Sequence, residues 1–151
     1  MNPYTTPAQQ GRDETQDFAD AQSYVGVEYV PGTYDCGHLV LDVQRQVFGR
    51  TVALPQCVQV HAQGRAHQAA QINQVRDALA QRIQEPVHGC AVLVTSPTDD
   101  GHLLWHVGTV FVYRGEVWVL HNSAVMGSAS LNRLRDFAWR GQRIEGFYAW
   151  K

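Results

Sequence analysis

The feature that most constrains this chain is LLWHVGTVFVY-RG-EVWVLHN, running from Leu103 to Asn122. Apolar and β-branched residues fill both halves, and the Arg114-Gly115 pair between them predicts a hairpin closed by a two-residue turn. With Tyr113 facing Glu116, the register follows: Gly108 faces His121, and His106 shares the face of Gly108. His106 and His121 are then diagonal neighbours within side-chain reach. Leu104, Val110, Val112, Val117 and Val119 complete an aliphatic face suited to receive a helix, with Gly108 leaving space beside His121. Trp105, Phe111, Tyr113 and Trp118 occupy the opposite face, so both sides are expected to be covered. Asn122 points to that aromatic side, opposite Val107. Imidazoles are costly to bury on an aliphatic face without partners or a role. They are either satisfied core histidines or a working pair.

Upstream of the hairpin the pattern is helical. Residues 1–12 read as a flexible polar lead, and 13–151 as a single domain. DETQDFADAQSYVG (Asp13 to Gly26) has acidic residues in its first turn and glycine at its end, the marks of a helix. From Cys36, the apolar stripe Leu39, Val40, Val43 and Val47 predicts a second helix closed by Gly49. Residues 50–64 read as irregular. A long helix from about Ala66 to Ile83 is expected from the spacing of Ile72, Val75, Leu79 and Ile83, stopped by Pro86. CAVLVTS predicts a buried strand, SPTDDG a polar loop, SLNRLRDFAWRG a helical or turn-like segment, and RIEGFYAW a last strand. Helices followed by an antiparallel sheet define an α+β domain.

YDCGHLV puts a cysteine at the start of the second helix. Asp35 is a good N-cap, its carboxylate able to accept from the first unpaired N–H groups. Cys36 then lies in the first turn, where those groups and the helix dipole favour negative charge and draw a thiol toward the thiolate. The same N–H groups suit an oxyanion. The alternative is that Cys36 is a small buried hydrophobe.

Composition narrows the classes. The chain has 151 residues, 44% hydrophobic and 17% charged, with a formal charge of −2, which gives no basic footprint for nucleic acid or an anionic membrane surface. Its three cysteines, Cys36, Cys57 and Cys90, have no framework spacing, and an extracellular stapled scaffold is not expected. The N-terminal stretch lacks an apolar core, so neither a signal peptide nor an anchor is expected, and synthesis in the cytoplasm follows. Cys36-x-His38, Cys57-x-x-x-His61 and His88-x-Cys90 are soft-ligand pairs that zinc would accept, but their separations are not finger-like.

Taken in order, YDCGHLVLDVQRQVFG, HVGTVFVYRGEVWVLHNS and RIEGFYAW resemble the NlpC/P60 cysteine peptidases, above all their compact phage-tail versions. The resemblance covers about Tyr24 to Trp150. It implies a papain-like fold with N-terminal helices packed on an antiparallel sheet, and hydrolysis of peptidoglycan stem peptides at γ-D-glutamyl–diaminopimelate type bonds. It implies Cys36 as nucleophile, His106 as base, His121 as the polar residue that orients the base, and Tyr29 as a substrate or oxyanion ligand. On this reading a Cys36 thiolate is paired with protonated His106, and no metal or cofactor is needed. The implied partners are the stem peptide and phage tail proteins, with the protein associated with a virion tail. Gly37 and His38, which follow the cysteine, depart from the family's usual residues, as does VPGT after Tyr29. His38 projects from another side of the helix than Cys36 and is not read as the base. A non-catalytic tail-tip assembly module of the same fold, or a thiol amidase or acyltransferase, remains the alternative reading.

Overall fold

A computed structural model describes residues 13–52, 80–97 and 103–151. Two helices come first, α1 (Glu14–Ser23) and α2 (Cys36–Gln46). Six strands follow: β1 (Ala80–Ile83), β2 (Ala91–Pro97), β3 (Leu103–Tyr113), β4 (Glu116–Ser123), β5 (Ser128–Arg133) and β6 (Arg143–Trp150). They form one sheet in the order β1-β6-β2-β3-β4-β5, with every pairing antiparallel. Two short 3-10 turns, Leu134–Asp136 and Ala138–Arg140, link β5 to β6. The architecture is α+β.

The hairpin register is the one its sequence dictates, from Tyr113–Glu116 to Gly108–His121. Arg114 and Gly115 both take positive φ, 52° and 75°, as a tight turn matched to the twist of two strands requires. Arg114 is the only non-glycine with positive φ among the described residues.

Helix packing departs from expectation. The aliphatic face of the hairpin was the predicted seat for a helix, but both helices lie on the aromatic face. Leu39, Val43 and Val47 of α2 bury against Phe111, Leu120 and Ala129, together with Phe48 and Ala21. Phe18 of α1 stacks on Tyr113 with ring centroids 4.3 Å apart and meets Trp118 edge-on at 5.3 Å. Burial area explains the choice, because large rings remove more apolar surface from water than valines do. The valine face is sealed by smaller pieces: Val92, Val94, Val110 and Val119 pack with Phe137, Ile83 and Ala149. A register shift in the β2–β6 ladder leaves Glu145 unpaired as a bulge, which lets Ile144 and Phe147 face the same cluster.

Two further segments differ from their sequence patterns. Ala80–Ile83, read as the last turn of a helix, is a strand paired with Phe147–Trp150. Its ends, Ala80 and Ile83, are both buried, a spacing that a helical stripe would also give. Ser130–Arg133, read as helical or turn-like, belongs to β5. The rest of the expected 66–83 helix, the lead at 1–12, most of the irregular 50–64 stretch, residues 98–101 of the polar loop and His102 lie outside the described residues. Among the described residues no helix is long and apolar enough to cross a membrane.

Candidate active site

Cys36 is the first residue of α2 and is partly exposed. Asp35, buried, accepts from the backbone N–H of Gly37 at 3.1 Å and of His38 at 3.2 Å. His38 Nδ1 lies 2.8 Å from the same carboxylate oxygen. A carboxylate accepts, so Nδ1 carries the proton and donates. The 3.3 Å approach of the Asp35 amide to that nitrogen is then only a close contact. His38 therefore belongs to the helix cap and not to the thiol's chemistry.

Tyr29 is beside this turn. Its N–H donates to the Gly127 carbonyl at 2.9 Å, tying it to the β4–β5 turn. Its phenol is pushed well above the usual range, first by burial and then by the negative charges of Cys36 and Asp35. The Tyr29 hydroxyl therefore stays protonated in the neighbourhood of Cys36. Cys90, by contrast, is a buried thiol pushed up to about 12 by desolvation, which leaves it inert.

The two histidines meet as their register requires. His106 Nε2 and His121 Nδ1 are 2.7 Å apart, the rings nearly perpendicular at 74°. His121 is buried, 1% exposed, and its Nε2 is 2.7 Å from Asn132 Oδ1. That oxygen also receives Arg140 Nη1 at 3.0 Å and Ser130 Oγ at 3.1 Å. Burial lowers the pKa of both rings; the neighbouring His121 lowers that of His106 further, and Arg140 that of His121, against the opposing hydrogen bond that His121 donates to Asn132. Burial thus favours the neutral form of both rings.

Gly108 is the close approach that this arrangement needs. A Cβ there would come within 2.6 Å of Val119 Cγ1 and 3.2 Å of His121 Cβ, so the glycine removes a collision and leaves no spare room.

Depressed pKa values in the two rings make stability depend on pH. Both folded pKa values lie below the unfolded value of about 6.5, so the unfolded state binds more protons as pH falls through that value. Stability is complete above about pH 6.5 and declines below it, by at most about 1.4 kcal/mol per pH unit for each ring. Thermal melts between pH 7 and pH 5 should show a steeper fall in Tm for the wild type than for His121→Asn. Parallel curves would contradict this.

The body of α2 and the two imidazoles lie against different faces of the sheet. Asn122 Nδ2 donates to the Tyr34 carbonyl at 2.8 Å and pins the start of α2 to the aromatic face. His106 pairs across to Val94 and His121 contacts Phe137 at 5.1 Å, which puts the imidazoles on the valine face. The β3–β4 ladder ends at Gly108–His121, so β3 leaves β4 just where His106 begins. The structure thus brings His106 to His121, and places Tyr29 near Cys36 at the start of α2.

His88, noted as a possible zinc ligand with Cys90, has both nitrogens engaged. Nδ1 accepts from the Val112 N–H at 2.9 Å, which leaves Nε2–H for Asp17 Oδ2 at 2.8 Å, and the pair clips α1 to the sheet. No group of three potential metal ligands occurs among the described residues. Cys57, His61, His67 and His102 lie outside them.

Asn132, Ser130 and Arg140 were not singled out by sequence. A signal existed: Gly127 closes a turn after Ser123, and Ala129 and Leu131 alternate with Ser130 and Asn132. Read as a strand, that alternation puts both polar residues beside His121.

Compared with protein-family models, curated proteins and solved structures, the chain matches none.

Proposed function

We propose that the protein is a thiol-dependent hydrolase of the NlpC/P60 type, with a papain-like arrangement, cutting peptidoglycan stem peptides at γ-D-glutamyl–diaminopimelate type bonds and serving in a phage tail. The observation that carries this reading is the hydrogen-bonded chain His106–His121–Asn132 at the same sheet end as a helix-opening cysteine. Asn132 Oδ1 is an acceptor, so neutral His121 carries its proton on Nε2 and its Nδ1 must accept. His106 then donates from Nε2, which leaves its Nδ1 as the basic nitrogen. A base whose far nitrogen is tied to an orienting group is what a cysteine nucleophile requires.

The peptide would bind at the sheet end where β3 parts from β4, with the Cys36 thiol within reach of His106 Nδ1. The thiol proton passes to His106 Nδ1 as the sulfur bonds to the carbonyl carbon. The resulting oxyanion is held by the Cys36 N–H and the Tyr29 hydroxyl. Collapse breaks the C–N bond, and His106 returns the proton to the leaving amine. Water, deprotonated by the same nitrogen, then releases the acid and restores the thiol.

A second reading, a non-catalytic tail-tip module, is favoured by the opposite-face placement of α2 and the histidines. Iodoacetamide separates the two. A hydrolase should alkylate Cys36 rapidly at neutral pH while Cys90 reacts only after unfolding, and muropeptide mass spectra should show new stem-peptide termini. Equal, slow alkylation of both thiols with unchanged muropeptides supports the module.

A further inference from the structure

We propose that Asn132 is a positioning residue that sets which nitrogen of His106 is basic. Its catalytic consequence rests on the hydrolase reading above, while the proton arrangement itself does not. Three donors converge on one amide oxygen: His121 Nε2 at 2.7 Å, Arg140 Nη1 at 3.0 Å and Ser130 Oγ at 3.1 Å. Only an acceptor can receive an arginine, so this atom is the carbonyl oxygen and the amide cannot flip without losing all three contacts. The oxygen fixes His121 as its Nε2–H tautomer. His121 Nδ1 then carries a lone pair, and the only proton that can fill the 2.7 Å contact with His106 is the one on His106 Nε2.

The fixed state travels through two rings, from β5 through β4 to β3. Rotation of His121 is restrained by Phe137, 5.1 Å from its centroid, and by Ser130 Oγ, 3.3 Å from Nε2. Among the described residues, the charged and titratable groups facing His121 are His106 from β3 and Arg140 from the turn before β6. The cation lies across Asn132 from the ring, so it polarises the amide oxygen without donating to the imidazole. An aspartate in place of Asn132 would keep the acceptor but add a charge, and so would hold a proton on His121 to higher pH.

The test is a two-bond 1H–15N correlation spectrum of the full chain with 15N-labelled histidine, assigned with His106→Asn and His121→Asn variants. Wild-type protein at pH 7 should show both rings as neutral Nε2–H tautomers. Asn132→Ala should give mixed tautomers at both rings. Asn132→Asp should retain the Nε2–H pattern and move the protonation of His121 to higher pH. Where peptidoglycan hydrolysis is measurable, Asn132→Ala should lower kcat roughly tenfold with little change in KM, and Asn132→Asp should recover much of it with a shifted pH profile. A wild-type His121 protonated on Nδ1, or an Asn132→Ala spectrum identical to wild type, overturns the proposal. An inactive wild type with the expected spectra leaves this inference standing and removes the hydrolase reading alone.

Discussion

Replacing Cys36 with alanine should lower peptidoglycan hydrolysis by about 10^3-fold or more, because covalent catalysis has no substitute once the nucleophile is gone. The fold should persist. Cys36 is partly exposed, and the cap that starts its helix is made by the Asp35 carboxylate on backbone N–H groups, not by the sulfur. Circular dichroism and thermal melts should therefore match wild type. The comparison is muropeptide release from purified sacculi by the two proteins. Hydrolysis that survives the substitution removes the thiol from the mechanism, whatever the positions of the histidines.

Replacing Phe111 with alanine should cost about 3–5 kcal/mol of stability. Phe111 is completely buried, and its ring meets Phe48 at 5.6 Å and the His88 imidazole at 5.7 Å. It occupies the junction of α2, the Asp17–His88 clip and the sheet, so the cavity could not be filled by one neighbour moving. Urea unfolding gives the number. A loss under about 1 kcal/mol would mean that the aromatic face is not where the helices sit, since an exposed phenylalanine truncates at little cost.

The hairpin was fully legible in the sequence, down to residue pairs, because a two-residue turn allows only one register and alternation does the rest. Both described helices were legible from their caps and stripes. What a single sequence does not contain is which face of a two-sided strand receives a helix. Val110 and Phe111 are both wholly buried, and periodicity alone ranks neither side. Ala80–Ile83 was misread because burial at positions three apart fits a helix as well as a short strand crossing between two clusters. β5 was missed because its arginine-rich continuation, LNRLRD, has the look of a helix, and strand propensity yields to pairing with β4.

The same limit applies to the site. His106 meeting His121 follows from register alone. The distance from either ring to Cys36 depends on the helix-bearing face, which register does not choose. The sequence pattern thus defined the helix-opening thiol and the imidazole pair, and left their junction to tertiary packing.

That junction is measured most directly by the pH dependence of Cys36 alkylation by iodoacetamide, compared between wild type and His106→Ala. If His106 Nδ1 takes the thiol proton as the sulfur attacks, wild-type Cys36 reacts well below the ordinary thiol midpoint of about 8.5, and the variant slows roughly tenfold at neutral pH with its midpoint moved toward that value. Superimposable profiles would show that the imidazole pair and the thiol do not communicate, and would contradict the proposed catalytic centre.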